Sequence, residues 1–184
     1  MAGFLSISCG GITNHTGEND ITWVSDADYI DVGKTVDIGE YATEKAYGSY
    51  LQTLRFFPPP LKKSCYKLLV TPDVPYLVRL WFAIGNYTGS LTLPNSFQYS
   101  IETLGMLHVA NVTMSDRDPI YRHRILVSSG SLLYICLIRT SKSDDPFISA
   151  IELRKFQDGM YGQTKTGTIL WPDYYNLGGN SVVR

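Results

Sequence analysis

The run CYKLLVTPDVPYLVRLWFAIGNYTG, residues 65–89, reads as two extended segments joined by a Pro-rich turn and closed by a glycine-framed aromatic loop. In the second segment Val78, Leu80, Phe82 and Ile84 fall on one face at period two, with Arg79, Trp81 and Ala83 on the other. Such alternation belongs to a strand in a packed sheet, because successive side chains leave a pleated backbone on opposite sides. The strand delivers Asn86 and Tyr87 to a loop tip, a position suited to contact rather than to catalysis.

Short extended runs of the same kind recur on both sides of it. They are FLSIS, TVDI, YLQTLRFF, SFQYSIET, HVANVTM, HRILVSS, SLLYICLIRT and FISAIELRKF. Turn chemistry separates them at Gly10-Gly11, Pro58-Pro59-Pro60, Ser129-Gly130-Ser131 and Asp144-Asp145-Pro146. A spacing of about ten residues with this punctuation predicts an all-β domain, an antiparallel jelly-roll β-sandwich with little or no helix. Residues 40–51 come nearest to helical apolar spacing and predict a short helix or none. The triple proline after Phe57 cannot donate ladder hydrogen bonds, so it ends a strand. From about residue 159 the clean strand pattern stops and Gly178-Gly179 follows. This predicts one domain over residues 4–158 and, over 159–184, a linker with the start of a second, truncated unit. The chain opens on a strand, and FLSIS is too short for the apolar core of a signal peptide, which predicts a piece of a longer protein.

The 184 residues are 44% hydrophobic, enough for one full core. A net charge of −1 argues against a nucleic-acid surface, which needs a basic excess. No run approaches the roughly 18–20 apolar residues that cross a bilayer. Asn14-His15-Thr16, Asn86-Tyr87-Thr88 and Asn111-Val112-Thr113 fit the glycan-acceptor pattern beside turn-like residues, which predicts a secreted chain glycosylated at Asn14, Asn86 and Asn111. Three cysteines allow one disulfide. Cys136, inside LLYICLIR, reads as a buried thiol, and Cys9 and Cys65, flanking strand ends, read as the pair.

Asp26, Asp28 and Asp31 miss the calcium-loop pattern, which wants an oxygen where Ile30 stands and glycine where Asp31 stands, so they read as a solvated acidic turn. His15, His108 and His123 lack metal spacing. No nucleophile elbow or phosphate loop occurs. The paired carboxylates Asp116 with Asp118, and Asp144 with Asp145, could suggest a glycosidase, but each pair sits in a turn where Asp bonds the local backbone. No catalytic residue, metal ligand or cofactor is expected. The remaining set is aromatic: Tyr29, Phe56, Tyr87 and Tyr121 lie in or beside loops, and flat rings of this kind suit sugar faces or peptide side chains.

Taken in order, ISCGGITNHT, ITWVSDADYID, YLQTLRFFPP with SCYKLLV, LVRLWFAIGNYTG and DDPFISAIELR resemble the malectin-like domain of plant receptor-like kinase ectodomains. Cys65-Tyr66 and the Tyr134-Ile135-Cys136 strand resemble the form found in leucine-rich-repeat receptor kinases, where the domain comes as a tandem pair. YYNLGGNSVVR resembles the opening of a second member. The resemblance implies a non-catalytic sandwich on the extracellular side of the plasma membrane, joined to the membrane only through a segment outside this chain. It implies a carbohydrate ligand or a secreted peptide, with a possible co-receptor protein. Carried over from the sugar-binding namesake, the ligand residues fall on Tyr29, Phe56, Asn86, Tyr87 and Asp144, with Asp145 an equally close choice. Asn86 replaces an aromatic and is a glycan acceptor, so the resemblance also implies a remodelled site, turned toward a peptide or co-receptor.

Overall fold

The computed structural model describes residues 4–45, 47–85, 91–157, 160–161 and 169–170. Its first half runs β1 (Phe4–Ser8), β2 (His15–Thr16), β3 (Thr22–Ser25), β4 (Lys34–Asp37), helix α1 (Gly39–Glu44), β5 (Thr53–Phe56), β6 (Lys63–Leu69) and β7 (Pro75–Phe82). The second half runs β8 (Asn95–Thr103), β9 (Met106–Met114), β10 (Ile120–Val127), β11 (Leu132–Ile138), β12 (Phe147–Ile148), β13 (Ala150–Lys155) and β14 (Ile169–Leu170). These form three sheets, in the orders β14-β10-β7-β13-β1-β3-β2, β6-β11-β8-β9 and β12-β5-β4. The architecture is the expected all-β sandwich, and α1 overlaps the start of residues 40–51, where a short helix or none was expected.

β7 lies between β10 and β13, and its alternation sorts as read from sequence. Val78, Leu80 and Phe82 are buried inward, where Phe82 meets Phe97 of β8 (centroids 5.7 Å apart) and Phe147 of β12 (6.3 Å). One aromatic cluster therefore joins all three sheets, the large ring-to-ring contact that holds sandwich layers together.

Four features depart from expectation. First, FISAIELRKF is not one strand: β12 and β13 lie in different sheets, split at Ser149. Ser149 Oγ bonds both the N–H and the carbonyl of Ala83 (each 3.0 Å), and Ser149 N donates to the Trp81 carbonyl, so the corner's polar groups stay satisfied as the chain changes sheet. Second, β1 and β3 pair in parallel through Ile7–Val24 and Ser8–Ser25. Third, within the stretch expected as a linker and second unit, Ile169–Leu170 adds an edge strand to β10, with Leu170 opposite Ile125. The remainder of 159–184, apart from residues 160–161, lies outside the described residues.

The fourth is the disulfide, which joins Cys65 to Cys136 and not to Cys9. Cys65 and Cys136 stand directly opposite on β6 and β11, with Cα atoms 4.0 Å apart, while Cys9 follows β1 of another sheet as a buried thiol. A disulfide needs close Cβ atoms, and only the cross-strand register supplies them. Burial, reinforced by the Asp26 carboxylate, pushes the Cys9 thiol up and leaves it unreactive.

Beside Cys9 lies the polar centre of the domain. Asp26 is fully buried, not solvated as its turn suggested. Its Oδ2 accepts from Gly10 N (3.0 Å), Arg55 Nε (2.6 Å) and Tyr66 OH (2.9 Å), and its Oδ1 from Arg55 Nη2 (2.8 Å). Arg55 Nη1 reaches the Val32 carbonyl as well (3.2 Å). Gly10 takes φ +81°, and any Cβ there would strike the Leu54 carbonyl, so the Gly-Gly turn is what lets this N–H approach the carboxylate. The carboxylate thus ties the end of β1 to β5 and β6, one strand from each sheet.

Asp26→Ala is expected to destabilise the fold by about 3–5 kcal/mol, because it strands a buried guanidinium and a phenol; urea unfolding measures it. Replacing Cys65 and Cys136 together by serine, which opens a loop of sequence separation 71, is expected to cost roughly 4 kcal/mol by the chain-entropy relation. Non-reducing peptide mapping is expected to recover a Cys65–Cys136 cross-linked peptide, with Cys9 alkylated only after unfolding.

Candidate functional site

Alternation along β1, β13 and β7 sends Leu5, Leu153 and Tyr76 into the gap between the layers, and β6 ends beside them with Lys67 and Leu69. There the layers part into an open cleft of about 500 Å³, within the range of small-ligand sites. The turn after β3 walls one side with Asp28 and Tyr29, held to the β6 edge by a bond from Lys67 N to the Tyr29 carbonyl (3.1 Å). Burial, and secondarily the Asp28 charge, pushes the Tyr29 phenol up, so it stays protonated. Tyr76 OH accepts from Thr71 N (3.1 Å), which fixes its ring against the cleft floor. Lys67 and Lys155 bring positive charge to the lining, and Asp28 is the single carboxylate among its described residues, where the paired-carboxylate chemistry of glycosidases needs two.

Of the ligand residues implied by resemblance, those described occupy separate settings. Tyr29 lines the cleft. Phe56 is not at the rim: it is only 5% exposed and pairs with Phe147 across β5 and β12, so its ring packs in the core. Asp145 is 3% exposed and ion-paired with Arg139 (2.6 Å). The same Arg139 bonds the carbonyls of Phe57, Leu61 and Asp144, so Asp145 serves to anchor a loop. Asp144 is half-buried, and its carboxylate accepts from Ser143 Oγ (3.0 Å). Arg139 N bonds the Lys62 carbonyl while Tyr29 bonds Lys67. Five residues of extended chain, roughly 16 Å, therefore separate the two attachments. Asn86 and Tyr87 lie outside the described residues. The carboxylates of the other pair behave as turn residues, Asp116 Oδ1 accepting from Asp118 N (3.1 Å).

Two surfaces escaped sequence reading. On the outer face of the seven-stranded sheet, Trp23 stacks on Tyr50 (4.4 Å), Tyr50 meets Trp81 edge-on (5.4 Å), and Trp81 meets half-exposed Tyr121 (5.0 Å). Beneath them Glu152 accepts from Trp81 Nε1 (2.8 Å) and pairs with Arg154 (2.9 Å) and Arg79 (3.7 Å). The only signal was that Arg79 and Trp81 share a face of β7; the partners come from distant segments. The second surface is the outer face at β9, the last strand of the four-stranded sheet. There Leu107 (67% exposed) and Val109 (44%) stand outward beside the turn residue Leu104 (70%). On the same strand Asn111 is exposed, as is Asn14 near β2, so both predicted acceptors are reachable.

The Malectin-like domain family model matches residues 7–183. A probable LRR receptor-like serine/threonine-protein kinase of Arabidopsis thaliana is 33% identical over 188 residues, covering 99% of this chain and 21% of that protein. The chain therefore spans about a fifth of the length of this relative. Among solved structures, the ANXUR2 extracellular domain from Arabidopsis thaliana superposes with a TM-score of 0.68 at 21% identity, covering 83% of this chain and 41% of that one. A structure of the plant peptide RALF23 in complex with FER and LLG2 matches with a TM-score of 0.66 at 17% identity, over 84% of this chain and 40% of the matched one. At these identities the structural matches speak for the fold.

One titration follows from the four-stranded sheet. Arg124 Nε donates to His108 Nε2 (3.2 Å), so that imidazole must be unprotonated at this nitrogen, and the Tyr99 ring lies 5.9 Å away. Burial first, and the Arg124 charge second, hold His108 below its ordinary value. The folded state then binds fewer protons than the unfolded chain. The contribution of His108 is accordingly full above about pH 6.5 and is lost as pH falls through the depressed folded value. His108→Gln is expected to flatten the fall in urea midpoint between about pH 7 and pH 5.

Proposed function

The chain belongs to the malectin-like domain family, and from that premise we propose that it is a non-catalytic recognition module on the extracellular side of a receptor-like kinase, docking a secreted peptide together with a co-receptor protein. The observation that carries this reading is the contrast between two surfaces. Of the residues that would form a sugar pocket, Phe56 packs in the core and Asp145 is clamped by Arg139. The β9 face, by contrast, leaves Leu104, Leu107 and Val109 in solvent, and contiguous exposed apolar side chains of this kind mark protein-interaction sites. The neighbouring complex of RALF23 with FER and LLG2 lends support, since the same fold there is found with a peptide and another protein. Glycans at Asn14 and Asn111 would suit an extracellular module, and one at Asn111 would bound the docking face at its far end. The sandwich itself would move little on binding.

The test pairs a displayed library of secreted peptides and co-receptor ectodomains with a glycan array, both read against the secreted protein. A protein or peptide binder is expected that weakens about tenfold or more in Leu107→Glu and in Leu104→Glu, a loss of about 1.4 kcal/mol each, while Tyr29→Ala leaves it unchanged. An array signal from a cell-wall or high-mannose sugar, with no peptide or protein binder, would overturn the reading in favour of carbohydrate recognition.

A further inference from the structure

The cleft between the layers lies apart from the β9 face, and its lining has a chemistry of its own. Its floor is apolar, from Leu5, Leu153 and the ring of Tyr76, and Tyr29 adds an aromatic wall. Among the described lining residues, Lys67 and Lys155 contribute two positive charges against the one negative charge of Asp28, a net of +1. Neither lysine has a carboxylate ion-pair partner among the described residues, whereas Lys63, on the same strand as Lys67, is paired with Glu102 at 2.6 Å. An aromatic and aliphatic floor flanked by unneutralised ammonium groups is complementary to a molecule with a flat apolar body and one fixed negative charge.

We propose that this cleft is a binding site for a small amphipathic organic anion, an aromatic or aliphatic body of modest size bearing a single carboxylate or sulfonate. The body lies on Leu5, Leu153 and Tyr76 with its flat face toward Tyr29, and the anionic group reaches Lys67 and Lys155. Asp28 stands on the Tyr29 wall and disfavours dianions, so the site selects for one charge. Because the pocket draws on both layers and on the turn bearing Tyr29, occupation bridges the sheet ends at the β6 edge.

The probe is 8-anilinonaphthalene-1-sulfonate, compared with N-phenyl-1-naphthylamine, the same body without the sulfonate, by titration calorimetry on the secreted protein. One saturable site is expected for the anion, at least about tenfold tighter than for the neutral compound and weakened about tenfold by Lys67→Glu or Lys155→Glu. Lys67→Gln and Lys155→Gln are expected to give smaller losses, and raised salt to weaken the anion selectively. Leu107→Glu, on the separate β9 face, is expected to change nothing. Thermal unfolding establishes that each variant is folded. Equal binding of the two compounds, indifference to the lysine variants, loss of binding in Leu107→Glu, or no anion binding would each overturn the proposal. None of these outcomes bears on peptide docking at β9, so the two readings fail separately.

Discussion

The bonds converging on Asp26 set the geometry from which the rest of the domain follows. A carboxylate taken fully out of water costs several kcal/mol unless its lone pairs are filled, and here four donors fill them: Gly10 N, Tyr66 OH and two nitrogens of Arg55. Those donors come from the end of β1, from β5 and from β6. Apolar contacts between the layers would tolerate small slides of one sheet over another, because dispersion and burial are only weakly directional. A bidentate guanidinium and a phenol bonded to one carboxylate do not tolerate them. The aromatic cluster of Phe82, Phe97 and Phe147 supplies cohesion, and Asp26 supplies registration.

The cleft is a consequence of that registration. The short turn that carries Asp26 continues through Asp28 and Tyr29, and the Tyr29 carbonyl is bonded to β6 at Lys67. Holding this turn against β6 leaves Tyr29 and Asp28 as one wall of the gap between the layers. The same logic places Arg139 at the loop bearing Asp144 and Asp145. An arginine that satisfies three carbonyls and a carboxylate is a structural rivet, and it engages the Asp145 carboxylate.

The cleft and the two outer faces differ in how they treat their side chains, and that difference sorts their roles. The aromatic row over Glu152 is largely buried and mutually bonded, so it reads as a structural layer with Tyr121 at its exposed margin. The cleft is roomy, and its described lining carries a net positive charge. The β9 face shows leucine and valine to water. Proteins seldom leave such side chains clustered in solvent without use for them, and among the described residues β9 is an edge of the four-stranded sheet.

Local pattern determined a great deal. The period-two alternation of Val78, Leu80 and Phe82, the triple proline that ends β5, and the Gly-Gly turn after β1 follow from constraints acting within a few residues, and those constraints read directly from the chain. The ordered set of motifs carried the family. What waited for the tertiary structure was everything set by register between distant strands: that Cys65 faces Cys136, that Phe56 turns inward against Phe147, that Asp26 is buried on Arg55, and that one apolar run divides between two sheets at Ser149. A side chain's neighbours across a sheet depend on how segments tens of residues apart are aligned, and an alignment shifted by one residue exchanges its faces. An aspartate in a turn looks the same whether its partner is water or an arginine on another strand, and only the folded chain chooses between them.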